Sequence, residues 1–131
     1  MPGGVIAETL SWRADHCLGP FGVGAVVVKT KTHLEDFWRL PDQEARELGP
    51  FLRDLSDAII KTLGAERIYL TMWVDSPPHH VHLVLYRRYP ADDKRALDLQ
   101  FHRRVEGPPP PKKAADAAAA IRAYLATVGD A

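Results

Sequence analysis

Hydrophobic and polar positions change period along this chain, and each change marks an element. Residues 21–29 (FGVGAVVVK) open on glycines and run into a β-branched block ending at Lys29, the pattern of a buried or half-buried strand. A polar turn follows from Thr30 to Thr32, and His33, Leu34, Phe37 and Trp38 make a short helical or irregular segment. From Pro41 the apolar spacing becomes three and four. Leu48, Phe51, Leu52, Leu55, Ile59 and Leu63 then share one face of a principal helix. Pro41, Asp42 and Glu44 suit its first turn and Gly64 its end, while Gly49-Pro50 predicts a kink or a restart inside it.

Period two returns at residues 67–74 (RIYLTMWV). Ile68, Leu70, Met72 and Val74 are expected on one face of a strand, with Tyr69, Thr71 and Trp73 on the other. Asp75 to Pro78 form a tight turn, so the next strand, from His79 to about Tyr89, should be its antiparallel neighbour. Pro90 and Asp92-Asp93 open a charged helix through about Arg104. Gly107 and four consecutive prolines then make a stiff spacer. Residues 112–127 read as a final alanine-rich helix with Ile121, Tyr124, Leu125 and Val128 as its apolar stripe. The inventory is α+β: an antiparallel sheet, one principal helix and a helical C-terminal tail.

Composition narrows the classes. The chain has 131 residues, a length that suggests one domain with a core large enough to need no staples. Hydrophobic residues make up 46% and charged residues 26%, which argues against wholesale disorder. Basic and acidic side chains balance at 17 each, so a nucleic-acid polymer is not the expected partner. No apolar run approaches the roughly 20 residues of a membrane span, and no signal peptide is expected at the start. A lone Cys17 makes neither an internal disulfide nor a cysteine-based zinc site, which fits a reducing cytoplasm. The three tryptophans, Trp12, Trp38 and Trp73, are expected in the core or in a pocket wall.

Histidine is the residue whose placement carries chemistry. In Pro78-His79-His80-Val81-His82-Leu83-Val84-Leu85-Tyr86, alternation puts Val81, Leu83 and Leu85 on a core face and His80, His82, Val84 and Tyr86 on the other. Two imidazoles about 6–7 Å apart on a rigid strand suit an anion, a metal ion or a reacting phosphate. The bland alternative is a solvent-facing strand whose polar positions happen to be histidine. A metal site would need a third ligand, which Asp75 or His33 would have to supply without diagnostic spacing. Lys29 and Lys31 can attract phosphate, although exposed lysines are usually just solvated, as are the basic residues that follow the histidine strand. His16 and His102 have no assigned role.

These residues resemble the histidine-triad (HIT) superfamily, whose motif alternates three histidines with hydrophobic residues on one strand. His80-Val81-His82-Leu83-Val84-Leu85 matches the first two histidines, with Val84 at the third position. Gly24 to Leu34 resembles the family's glycine-led strand and basic turn, and the order strand, long helix, strand, histidine strand also agrees over residues 12–88. Cys17-Leu18-Gly19-Pro20-Phe21-Gly22-Val23-Gly24 looks like an actinobacterial-type branch. The resemblance implies an antiparallel sheet of about five strands with one main helix and additional C-terminal helices. Residues 1–90 would be the HIT-like core and residues 91–131 a C-terminal helical extension packed on or near it. The Pro-rich linker lies at 107–111, in a single domain overall.

The resemblance also implies a function. His82 stands where the family's nucleophile attacks the α-phosphate of a nucleotide conjugate to give a nucleotidyl-histidine, and His80 stands where a supporting histidine orients it. Ser76, four residues earlier, and His33 would line the substrate pocket, with Val84 beside them. The implied protein is a cytoplasmic homodimer that acts on a small nucleotide or nucleotide conjugate without a cofactor or metal. Val84 and Ala25 replace polar residues of the family, so a catalytically impaired nucleotide-binding or interaction protein is the alternative, and a histidine-based metal protein the third.

Overall fold

The computed structural model describes residues 2–74, 79–89 and 107–129. Five strands form one antiparallel sheet: β1 (Val5–Glu8), β2 (Trp12–His16), β3 (Val26–Thr30), β4 (Arg67–Thr71) and β5 (His82–Arg88), in the order β1-β2-β3-β5-β4. Among the described residues it is accompanied by the helices α1 (Asp42–Leu63) and α2 (Pro111–Gly129) and by a 3-10 turn at Phe37–Arg39. The expected α+β class holds, as does the antiparallel pairing of the histidine strand with β4. The expected helix from Pro90 to Arg104 lies outside the described residues, as do Ser76 and Asp75.

Alternation along the strands makes the core. Ile6, Trp12, Ala14, Val26, Val28, Val81, Leu83 and Leu85 join Leu48, Phe51, Leu55, Ala58 and Ile59 of α1 in one buried cluster. The helix obeys its sequence signals at both ends, with Pro41 at the N-cap and Gly64 closing it at φ 70°, a left-handed conformation that costs glycine little. Of the kink or restart expected at Gly49-Pro50, the restart does not occur, and Pro50 lies inside one continuous helix. Leu48 and Phe51 are buried on either side of the proline, and their anchorage in the core holds the two turns in one helix.

The tail keeps Ile121, Tyr124 and Leu125 of its expected stripe against the core and adds alanines to it. Ala114, Ala117, Ala118 and Ile121 are buried, while Val128 is exposed; small side chains let α2 lie close against the rest of the molecule. Ala118 and Ile121 belong to the same core cluster as the sheet. Pro111 is the first residue of α2 rather than part of the spacer, a position where its missing N–H costs no hydrogen bond. Arg122 Nε donates to the Val5 carbonyl at 2.9 Å and Tyr124 Oη to Asp57 at 2.7 Å, tying α2 to β1 and to α1.

The β1–β2 turn is held from a distance. Thr9 Oγ1 accepts the amides of Ser11 and Trp12, and Glu47 of α1 accepts the Ser11 amide at 2.9 Å and its hydroxyl at 2.7 Å. These donors hold the Glu47 carboxyl down to about 2, hydrogen bonding to Thr9 and Ser11 being the main cause. Of the tryptophans only Trp12 is in the core; Trp38 and Trp73 are exposed, against expectation. Trp38 sits on the isolated 3-10 turn and Trp73 lies beyond the end of β4, where no sheet neighbour covers them.

His16 has a structural task. Its Nδ1–H donates to the Cys17 carbonyl at 2.8 Å and its Nε2 accepts the Gly24 amide at 2.9 Å, so the neutral ring staples the two ends of the loop between β2 and β3. Gly24 itself (φ 94°) leaves no room for a side chain, since a Cβ there would meet Tyr89 Oη at 2.6 Å. Burial, with Arg87 adding a smaller repulsion, pushes the His16 pKa below 6.5. A folded-state pKa below the unfolded one means this contribution is complete above about pH 6.5 and fades as pH falls below it. Denaturant midpoints are therefore expected to drop between about pH 7.5 and 5, and His16→Gln should flatten that slope; an equal slope in both proteins would contradict the assignment.

Candidate active site

The site is built on the sheet face opposite the core. β5 starts at His82, not at His79, so regular alternation covers His82, Val84 and Tyr86 and leaves His80 just before the strand. The chain at this point is held instead by Leu34, whose carbonyl accepts the Val81 amide at 2.7 Å. His80 is fixed by different bonds. Its Nε2 lies 3.0 Å from both the carbonyl and the hydroxyl oxygen of Thr30. The carbonyl can only accept, and the Thr30 hydroxyl gives its own proton to the Thr32 carbonyl at 2.8 Å, so the His80 Nε2–H donates to both.

His82 is held by its other nitrogen. Nδ1 lies 2.8 Å from the His80 carbonyl and must carry the proton it donates there. In the neutral ring Nε2 then keeps its lone pair, which makes it the nucleophilic atom. The two histidines thus have opposite tautomers, each set by a backbone carbonyl. His33 joins this group at its edge: its ring stands edge-on to His80 with centroids 5.5 Å apart, and its Nε2 lies 3.4 Å from Glu35 Oε1. Of the residues expected at the site, His82, His80 and His33 are brought together along one path. Val84 is half-buried on the same face and offers no polar atom of its side chain.

Strand register supplies residues that the motif did not. Lys29 lies directly across from His82 and Arg13 directly across from Lys29, giving a basic row over β2, β3 and β5. Lys29 belongs to β3 rather than to the basic turn. The next row on this face is Asp15, Val27, Val84 and Thr71. Asp15 is only 1% exposed, and Arg13 Nε stands 3.4 Å from its carboxylate. Both Asp15 oxygens lack hydrogen bonds among the described residues. Farther along, Tyr86 stacks on Tyr69 and receives Phe21 edge-on at 5.7 Å. The face therefore grades from a basic row, through a row with Val27 and Val84 at its centre and Asp15 and Thr71 at its ends, to aromatic residues, an order suited to a small anionic ligand with an apolar part.

Among the described residues no three histidine, cysteine or acidic side chains are grouped to hold a metal ion. Cys17 is buried, and its sulfur accepts the Gly19 amide at 3.4 Å. No described helix is long and apolar enough to cross a membrane.

No protein-family model matches the chain, and no curated protein matches it by sequence. Solved structures do resemble it. A zinc-bound histidine-triad family protein from Mycobacterium smegmatis superposes with a TM-score of 0.74 at 20% identity, covering 99% of this chain and 88% of the other. A hypothetical histidine-triad nucleotide-binding protein from Sulfolobus tokodaii gives 0.77 at 15% identity, over 98% and 87%. The diadenosine triphosphate hydrolase of Plasmodium falciparum gives 0.70 at 12% identity, over 94% and 76%. Likeness at such low identity speaks for architecture, and in architecture this chain has the fold of the histidine-triad proteins.

Proposed function

We propose that this protein binds a nucleotide or small nucleotide conjugate and acts at its α-phosphate through a covalent nucleotidyl-His82. The single observation that carries this is the bond from His82 Nδ1–H to the His80 carbonyl, which leaves Nε2 unprotonated. The lone pair of Nε2 forms a bond to phosphorus as the bond from phosphorus to the leaving group breaks with its electron pair. The resulting imidazolium is stabilised by the carbonyl that already accepts its Nδ1–H. Water or another acceptor then attacks phosphorus, the N–P bond breaks, and the lone pair returns to Nε2. His80 positions rather than reacts, because its own Nε2–H is spent on Thr30. His33 and Ser76 would line the pocket, with Val84 forming its apolar floor; no cofactor or metal takes part. The bound nucleotide is a small molecule rather than a nucleic-acid polymer, and the cytoplasm is the fitting compartment. The Cys17-to-Gly24 motif and Val84 after His80 and His82 support, as part of this proposal, an actinobacterial-type branch.

The test is to incubate the protein with adenylylated and guanylylated substrates and follow release of the nucleoside monophosphate. Release supports the proposal. Tight binding with neither release nor a trapped adduct would instead favour the second reading, a nucleotide-binding protein without turnover. Val84 favours that second reading, since an apolar side chain in the row next to His82 gives the phosphate no donor.

A homodimer fits the sheet's free edge. β4 ends the strand order among the described residues, Leu70 on it is 54% exposed, and Trp73 just beyond its end is also exposed. An edge strand with uncovered apolar side chains suits pairing with a second copy. Leu70→Lys is expected to shift the species seen by light scattering from dimer to monomer; an unchanged mass would place the interface elsewhere. The division into a core over residues 1–90 and an extension over 91–131 joined by the 107–111 linker is likewise part of this proposal, within one domain.

A further inference from the structure

We infer that Lys29 is the phosphate-binding cation of this site, standing in for the donor that Val84 cannot supply. The inference rests on the function proposed above and concerns the same face of the sheet. Lys29 and His82 are Cα partners in the antiparallel β3–β5 ladder. Directly opposed side chains on one face have β-carbons about 4.5–5.5 Å apart. A lysine there carries its ammonium on a flexible four-carbon stem, long enough to reach an anion seated on the His82 ring.

Other candidates are excluded by their own bonds. Arg13, next in the row, is already opposed by the buried Asp15 carboxylate at 3.4 Å. Lys31 pairs with Glu8 at 3.1 Å. His80 has committed its Nε2–H to Thr30. Along β5 the next residue on this face is Val84, and its partner Val27 is equally apolar. Lys29 is half-buried, and its ammonium makes no hydrogen bond or ion pair among the described residues. An ammonium beside a nucleophilic imidazole, with no carboxylate holding it, is placed to neutralise the nonbridging oxygens of a phosphoryl group as charge builds there.

The experiment compares binding of adenosine and guanosine 5′-monophosphates with binding of the matching nucleosides, by calorimetry. Wild-type protein should prefer the monophosphate. Lys29→Gln should weaken monophosphate binding by about tenfold to a hundredfold, the range for a charge-assisted contact, and leave nucleoside binding unchanged. Lys29→Arg should restore most of the loss, and the paired Lys31→Gln should show none. Near-ultraviolet circular dichroism confirms that each variant folds as wild type. A Lys29→Gln protein that keeps its monophosphate preference overturns the inference while the function proposed for His82 stands. So does an equal loss in Lys31→Gln, which would make the effect one of general charge. A wild-type protein that binds monophosphate no better than nucleoside overturns both.

Discussion

Replacing His82 with alanine is expected to lower release of nucleoside monophosphate by on the order of 10³-fold or more, because the covalent route closes and only positioning remains. The adduct seen by intact-protein mass spectrometry after acid-free quenching should vanish with it. His80→Ala makes the informative contrast. Its backbone carbonyl still accepts the His82 Nδ1–H, so the tautomer that exposes Nε2 survives. What is lost is the tie to Thr30, which sets where the chain enters β5. A smaller loss, about tenfold, is expected there, as for a positioning group. If the His82→Ala protein retained the wild-type rate, the nucleotidyl-histidine mechanism would be wrong.

Trp12→Ala should be the most damaging change to stability. The indole is fully buried at the centre of the cluster, and its Nε1–H donates to the Glu44 carbonyl at 2.8 Å, pinning β2 to the first turns of α1. Removing a buried aromatic of this size costs about 3–5 kcal/mol. Set against a typical total of about 5–15 kcal/mol, that is a large share of the fold. Trp12→Phe keeps most of the apolar volume and loses only the indole hydrogen bond, since the Glu44 carbonyl lies within α1, for a cost of about 0.5–1.5 kcal/mol from that bond. Urea unfolding followed by far-ultraviolet circular dichroism measures both, since it reports α1 and does not depend on the tryptophan removed. A loss below that of Trp12→Phe in the alanine variant would show that the cavity collapses or fills.

Local signals were legible wherever a single stretch of chain sufficed to define them. The three-and-four spacing from Leu48 to Leu63 marked α1, and Gly64 marked its end, because both depend on neighbours within a few residues. Period two in residues 81–85 marked the core row at the start of β5, and Val81, Leu83 and Leu85 are buried as expected. Strands β1 and β2 were harder to place. The turn between them has no glycine or asparagine, and it is fixed by Thr9 and by Glu47, a residue on another element. The alanine stripe of α2 was equally faint, since alanine is a core residue only where a neighbouring backbone comes close.

The candidate site divides in the same way. The chain order of His80, His82 and Val84 was enough to select the candidate strand and the two faces of its regular part. It could not say that β5 begins at His82, because that boundary depends on Leu34 and Thr30 reaching across from residues some fifty positions earlier.

What the sequence determined by itself was therefore the periodic elements, the α+β class and the clustering of histidines at the start of one strand. All of these are written in residue type and short spacing. What only the tertiary structure decided was which nitrogen of each histidine holds its proton, and which side chains stand across from His82. A tautomer is set by the acceptor that the folded backbone presents, and a cross-strand neighbour by sheet register. Both arise between segments distant in sequence, so Lys29, Arg13 and Asp15 meet on one face only once β2, β3 and β5 have paired.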